Sequence, residues 1–430
     1  MESMNQAYPS GIYSGSQQNL PVICLPVPAF SVRYLLQQEG LPLGCFTQIV
    51  GKPASCKSSL LYEILGWHMN FPGGGGVLIE TEGKISPELP YSIFGYNHPR
   101  FRLQPCKTLQ EWNAALKDWI EKFISYMDGD SLKQNPGAGR TMPIGFGVDT
   151  LMAALPAQIF EKLRDNGSPT KHFSDTATRL DEYLKWLTQK IKDMPFSVVG
   201  VNYLKPGRTG NERNIAGGWA PKSHAALELE VSRLTSSKPG NAINRVLDDE
   251  MGLRLRIEAH KNTMASPAAV EVEMLWYMDY EDRDPLGHYR QKTFFDWHSA
   301  SIELLLALTR GDGERAKRIR SIIDLQANAD TRRVGCKELG ISATAKAPYR
   351  DAGLALEAKI KNDKAFETDL YAAVGILRRS LFKQDVEYCE QCQDAMDLSL
   401  KAERQATVSS PWQRDPLSLL RVGSGGIRIN

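Results

Sequence analysis

Along the first half of the chain, short apolar runs alternate with stretches whose apolar residues recur at helical spacing. FTQIV (46–50), VLIE (77–80) and IGFGVD (144–149) have the length of strands buried on both faces. Ser58 to about Asn70 and about Leu109 to Met127 read as helices. Strand, helix, strand, helix predicts an α/β fold with a mainly parallel, twisted sheet covered on both sides. A helix after Asp149, another from about Ser174 to Lys192 and the strand FSVVGVNYL (196–204) continue the pattern into a Gly-rich polar stretch. LRLRIEAHKN (253–262) and AVEVEMLWYM (269–278) alternate as half-buried antiparallel strands do. Beyond these, SASIELLLALTRG and ETDLYAAVGILRRSLF predict a separate helical unit beginning between residues 298 and 315. The first twenty residues, rich in Ser, Gly, Gln and Asn, show no apolar period. The expected division is an arm over 1–29, an α/β core over 30–300 and a mainly helical unit over 301–430.

Composition narrows the function classes. The chain has 430 residues, 42% hydrophobic and 24% charged, which is a globular balance. With 52 Lys and Arg against 50 acids, the net charge of +2 excludes a uniformly basic coat on nucleic acid, though not a local patch. The seven cysteines are odd in number and scattered, so a reducing, cytoplasmic setting fits better than a disulfide framework. No apolar run approaches the ~18 residues of a spanning helix, and the opening MESMNQAYPSGIYSGSQQ lacks the regions of a secretory signal, so no membrane is expected. Cys389-x-x-Cys392 has no second pair and reads as two helical thiols rather than a zinc site. Trp67, Trp112 and Trp119 recur at helical spacing among apolar neighbours and are expected in the core. His224 and His260 lack ligand-spaced companions and read as structural or phosphate-contacting.

The most informative segment is FTQIVGKPASCKSSLLYEILGWHM, where a buried strand runs through Gly51, Lys52, Pro53, Ala54, Ser55 and Cys56 into Lys57, Ser58 and Ser59 at a helix start. Loop N–H groups and a helix N-terminus form an anion cradle, Lys57 reaches the outer phosphates and Ser58 ligates Mg²⁺. Cys56 stands where the general rule puts glycine, and taken alone the segment could be an accidental Gly-Lys-Ser turn. Two downstream strands weigh against accident. VLIETEG ends in Glu80 and Glu82, which alternation puts on one side with Thr81 opposite, where a carboxylate can polarise water. IGFGVD ends in Asp149, the residue type and place for holding a Mg²⁺ water shell. Helix capping is the bland alternative for both.

In this order the three elements resemble the RecA/RadA family of DNA-strand-exchange ATPases, over about residues 30 to 280. AFSVRYLLQQEGLPLGCFTQIVGKPASCKSSLL is similar to the family's opening, and VLIETEG to the strand whose catalytic glutamate falls on Glu82. VVGVNYLKP resembles the strand ending in a phosphate-sensing polar pair, here Asn202 and Tyr203, and AHKNTMASP the boundary turn. The resemblance implies that Lys261 reaches the neighbouring subunit's ATP. The larger residue before the P-loop lysine resembles the recombinases of T-even bacteriophages. Departures are Tyr203 in place of glutamine, Thr263 in place of a second lysine, Leu89 near the base-stacking tyrosine's place and a C-terminus, GSGGIRIN, without the bacterial acidic tail.

From Tyr203 to His224, Lys205, Arg208, Arg213 and Lys222 stand against Glu212 alone, four cations to one carboxylate, a local +3. Four glycines and two prolines make a loop, Gly217 and Gly218 begin its return towards a helix, and Trp219 supplies a stacking face. Basic residues beside an aromatic suit a single-strand site, although a Gly/Arg-rich stretch is more often a solvated surface loop; the resemblance decides for DNA. Residues 164–173 (RDNGSPTKHF) correspond to the family's other DNA loop. The expectation is a Mg²⁺- and ATP-dependent strand-exchange protein forming helical filaments on single-stranded DNA. Its partners would be homologous duplex DNA and single-strand-binding and mediator proteins, in a bacterial or phage-infected cytoplasm. A ring-forming helicase and a non-hydrolysing DNA-binding mediator remain the alternatives.

Overall fold

The computed structural model describes residues 23–71, 74–83, 88–95, 100–127, 143–152, 173–192, 194–206, 213–216, 219–234, 242–245, 250–283, 287–328, 330–378 and 380–381. The described chain enters through β1 (Ile23–Pro26), α1 (Phe30–Leu36) and β2 (Gly40–Pro42). Alternation then begins: β3 (Cys45–Gly51), α2 (Lys57–Asn70), β4 (Gly75–Glu80), α3 (Glu88–Phe94), β5 (Phe101–Pro105), α4 (Leu109–Met127), β6 (Ile144–Asp149), α5 (Phe173–Ile191) and β7 (Phe196–Pro206). β8 (Arg213–Ile215), α6 (Ala220–His224), β9 (Leu227–Arg233), β10 (Ala242–Arg245), β11 (Glu250–Asn262), β12 (Ala269–Arg283) and β13 (Tyr289–Phe295) follow.

The main sheet runs β13-β12-β11-β9-β3-β7-β6-β4-β5. From β9 to β5 neighbours are parallel, and from β9 to β13 they are antiparallel. Strand parity sorts the core. Ile49, Leu78, Val199 and Val201 pack under Leu61 and Leu65 of α2. Phe46, Val77, Ile79, Phe146 and Val198 face Trp112 and Leu116 of α4 and Leu184 of α5. α2 lies close on β6 because two positions there have no side chain. A Cβ at Gly145 would come within 2.9 Å of the His68 ring, and one at Gly147 within 3.0 Å of Leu61. Trp67 and Trp112 are core residues as expected, in the two separate clusters, and Trp119 is partly buried against the one that holds Trp112.

β9 lies where only a helix was expected after Gly217 and Gly218. The return helix is only Ala220–His224, and Leu227, Leu229 and Val231 then alternate inward as a strand beside β3. The C-terminal unit comprises α7 (Trp297–Leu308), α8 (Glu314–Ile322), the strands β14 (Gln326–Asn328), β15 (Arg333–Gly335) and β16 (Ala347–Pro348), α9 (Tyr349–Asn362) and α10 (Lys364–Val374). A small sheet thus sits among its helices. α10 ends at Gly375, whose φ of 79° closes the helix before ILRRSLF can extend it. β17 (Ser380–Leu381) pairs with β1.

The helix ahead of the phosphate loop is keyed into this unit. Phe30 of α1 lies in its core, Ser31 Oγ donates to the Trp297 carbonyl at 2.7 Å, and Arg33 pairs with Glu357. Buried Asp296 caps α7 by accepting from the Ser299 N–H, and it also accepts from Arg350 Nε, each at 3.0 Å. Among the described residues no helix is long and apolar enough to cross a membrane. Residues 1–22 of the expected arm, residues 153 onward of the helix expected after Asp149, residues 164–172 of the loop expected over 164–173, and Cys389 with Cys392 lie outside the described residues.

Candidate functional site

β3 delivers Gly51 to a point where a side chain has no room: a Cβ would lie 2.4 Å from the Val231 carbonyl and 2.5 Å from Ser55 Oγ. The chain then turns through Ala54 and Cys56 in the left-handed region, with φ of 58° and 65°. That is the physical content of the glycine rule at position 56: the constraint is backbone conformation, at ~1–2 kcal/mol for a residue with a Cβ. Cys56 meets it as a half-buried thiol whose pKa burial raises. No side chain caps α2, so its first N–H groups are left for an anion. Lys52, Pro53 and Ala54 are exposed, while Ser55, Lys57 and Ser59 are buried.

Lys57 Nζ donates to the Lys52 carbonyl at 2.7 Å, bending back over the loop it would leave for a phosphate. Burial lowers the pKa of its ammonium, opposed by the charges of Asp149 and Glu82. Ser55 Oγ is buried without a partner, an orphaned polar atom inside the cradle. Beneath Lys57, Asp149 at the end of β6 accepts from Tyr62 Oη at 2.9 Å and from Ser58. Burial raises the Asp149 pKa, and these two hydrogen bonds oppose the rise. Among the described residues no three His, Cys, Asp or Glu side chains cluster as a cage. One carboxylate and one hydroxyl beside an anion cradle suit Mg²⁺, which keeps waters and shares phosphate oxygens. The residues present therefore fit Mg²⁺ and a nucleotide triphosphate.

β4 stops at Glu80, so strand alternation does not carry on to Glu82, and the two carboxylates, both near Asp149, take different partners. Glu80 turns onto the backbone and accepts from the N–H groups of Glu82 and Gly83 at 2.8 and 2.7 Å. Glu82 is presented by that turn and accepts from Thr150 Oγ1 at 2.8 Å. Tyr203 Oη lies 3.4 Å from the same hydroxyl, and Lys57 Nζ sits 5.2 Å from the Tyr203 ring centre. Lys57, Ser58, Glu82, Asp149 and Tyr203 are thus brought together. Tyr62 and Thr150 join them without having been singled out in the sequence; a hydroxyl directly after Asp149 was the signal for Thr150.

β7 carries the polar loop. Buried Asn202 donates through Nδ2 to the Ala216 carbonyl at 2.8 Å, and the Ala216 N–H donates to the Tyr203 carbonyl at 3.0 Å. β8 returns antiparallel, pairing Lys205 with Asn214 and Pro206 with Arg213, so the loop's two ends are clamped into a ribbon. Arg208, Gly217 and Gly218 lie outside the described residues. Trp219 is 74% exposed, with Lys222 Nζ 5.4 Å from its ring centre. Lys261 donates to the carbonyls of Lys222 and Ser223 at 2.8 and 3.1 Å, and is therefore held at the end of α6 in its own chain. Leu89 is exposed, whereas Tyr91 packs on Phe94 and Phe101. His224 and His260 contact Asp181 and Glu230, a structural use of both.

No protein-family model matches the chain. It is 23% identical over 257 residues to Protein RecA of Clavibacter michiganensis, covering 59% of this chain and 62% of that protein. Protein RecA of Saccharopolyspora erythraea is also 23% identical over 257 residues, covering 59% and 65%. That of Bifidobacterium longum is 22% identical over 272 residues, covering 62% and 60%. The chain thus spans about three fifths of the length of the curated relatives it matches. These relatives are bacterial and lend the T-even phage branch no support. The mixed sheet, its helices on both faces and these similarities agree with a RecA-like core, and the chain is similar to bacterial RecA proteins over about three fifths of its length.

Proposed function

We propose that the protein is a DNA-dependent ATPase that assembles on single-stranded DNA and exchanges strands with a homologous duplex, in recombination and repair. The observation that carries this reading is convergence: Lys57, Ser58, Asp149 and Glu82 meet at one end of the parallel sheet, and the loop with Trp219 is rooted on the adjoining strand. Lys57 holds the outer phosphates, supported by the N–H groups of the 51–59 loop. Ser58 and Asp149 hold Mg²⁺, whose contribution is to neutralise charge on the phosphates. Glu82 orients a water and takes up its proton.

Asn202 and Tyr203 link this centre to the loop that grips DNA through Lys205, Arg208, Arg213, Gly217, Gly218, Trp219 and Lys222. Lys261 reaches a neighbouring protomer's nucleotide, for which it leaves the α6 carbonyls it contacts in the single chain. Successive protomers stack head to tail in a filament, with single-strand-binding and mediator proteins as further partners, in the cytoplasm of a bacterium or a phage-infected host. The T-even assignment rests on Cys56 alone.

Steady-state ATP hydrolysis with and without single-stranded DNA tests the reading. Turnover is stimulated by DNA in the native protein and falls by about 10² or more in Lys57→Ala and Glu82→Gln. Absence of DNA-stimulated turnover in the native protein sinks it in favour of a non-hydrolysing mediator. Unwinding without strand exchange, with closed rings in micrographs, replaces it by a helicase.

A further inference from the structure

We propose that Thr150 is a positioning residue for Glu82, and that Tyr203 makes that positioning depend on the DNA-binding loop; the inference rests on the ATPase reading above. Thr150 is 2% exposed and follows Asp149 directly. Its backbone is already fixed: its N–H donates to Thr81 Oγ1 at 2.9 Å, and its carbonyl accepts from that same hydroxyl at 2.7 Å. The Thr81 N–H donates to the Asp149 carbonyl at 2.9 Å. These three bonds lace the end of β6 to the turn after β4 without using the Thr150 hydroxyl.

That hydroxyl is committed elsewhere. Glu80 fixes the backbone of the turn, so the freedom left to Glu82 is in its side chain, and Thr150 Oγ1 restrains it through the 2.8 Å bond to Oε1. A hydroxyl donating to a carboxylate makes one of the stronger neutral-to-charged hydrogen bonds. Holding a base in place matters because a misplacement of about 1 Å can lower the rate by ~10².

Thr150 has one hydroxyl proton, and the shorter contact to Glu82 takes it. The Tyr203 phenol oxygen, 3.4 Å away, is a second and weaker acceptor competing for that same proton, at a separation near the outer edge of hydrogen bonding. A movement of a few tenths of an ångström at the end of β7 closes or opens this contact. Tyr203 is well placed to feel such a movement. Its carbonyl and the neighbouring Asn202 clamp Ala216 across the loop, while its ring faces the Lys57 ammonium. Where the family resemblance led to an amide, a phenol here touches both the phosphate lysine and, through Thr150, the water-orienting carboxylate.

The test measures ATP turnover with and without single-stranded DNA in the native chain and in Thr150→Ala, Thr150→Ser and Tyr203→Phe, with thermal unfolding as a check on folding. Thr150→Ala lowers kcat by about 10-fold or more with the KM for ATP within about 2-fold, and Thr150→Ser restores most of the rate. Tyr203→Phe lowers the ratio of DNA-stimulated to unstimulated turnover by about 3-fold or more. Native kcat in Thr150→Ala overturns the role of Thr150, as does a loss that serine fails to restore. An unchanged stimulation ratio in Tyr203→Phe overturns the link to the loop. No turnover in the native chain overturns the ATPase reading itself, a different outcome from native turnover with an unaffected variant.

Discussion

At the scale of single residues, the site shows how buried neighbours tune the carboxylate proposed to hold Mg²⁺. Asp149 is almost wholly buried, which by itself favours the neutral acid, and the Ser58 and Tyr62 hydroxyls and the Lys57 ammonium hold it towards the charged form. Tyr62 is fully buried as well, and its phenol makes the 2.9 Å bond. Tyr62→Phe removes one donor and leaves the ring in place. The neutral acid then gains ground, so the Mg²⁺ concentration for half-maximal turnover rises by about 3- to 10-fold, and the acid limb of the pH–rate profile moves to higher pH. Titration of turnover with Mg²⁺ at fixed ATP checks this, and an unchanged half-maximum shows that Ser58 and Lys57 suffice. Cys56 is the complementary case. Its identity breaks a sequence rule, yet its φ of 65° shows that the rule concerns backbone conformation, which a thiol-bearing residue adopts under strain.

At the scale of elements, α2 is tied to its surroundings by two titratable groups pulling in opposite directions. Glu63 accepts from the indole N–H of Trp67 and of Trp297, each at 3.1 Å, and burial pushes its pKa from 4.5 up to about 7. His68 contacts the Ile64 carbonyl and Ser197 Oγ, and burial lowers its pKa from 6.5 to about 4. Between pH 4.5 and 7 the folded chain binds more protons at Glu63, so that stability is present at low pH and lost as pH rises through 7. Between pH 6.5 and 4 the unfolded chain binds more protons at His68, so stability falls with acidification, by about 3 kcal/mol in all. The two nearly cancel over their shared range. Glu63→Gln keeps an acceptor for the indoles and removes one side of the balance. Its melting temperature relative to the native chain therefore rises steadily from pH 4.5 to 7, and a difference independent of pH refutes this account. The same helix shows what the sequence could disclose. Its limits followed from apolar spacing and the loop before it, as did those of β6 and α4. Its buried charges did not, because nothing local says that Trp297, over two hundred residues on, meets Glu63. β9 is hard to read locally for a related reason: LELEV alternates, but it follows a Gly-Gly turn and a short helix, and its strand character is fixed by β3 beside it. Glu80 and Glu82 were legible as carboxylates at a strand end, while their separate tasks arise from where β4 stops.

At the scale of the whole molecule, charge is distributed where the proposed assembly needs it. A net charge of +2 on 430 residues leaves little self-repulsion between copies that must pack together, while the loop from Tyr203 to His224 carries four cations against one carboxylate. Two kinds of contact are expected there, and they respond differently to salt. Arg208 and Arg213 neutralise phosphates and release counterions, so replacing both with alanine weakens single-strand binding and flattens the plot of log affinity against log salt by ~0.7 per lost contact. Trp219, exposed at 74% with the Lys222 ammonium beside its ring, contributes by stacking. Trp219→Ala lowers affinity by ~1–3 kcal/mol for the base it stacks and leaves the slope as it was. Fluorescence anisotropy with a labelled single strand across a salt series separates the two. An unaltered slope in the double arginine variant removes those residues from the interface. A slope changed by Trp219→Ala shows that the ring instead positions Lys222 on a phosphate.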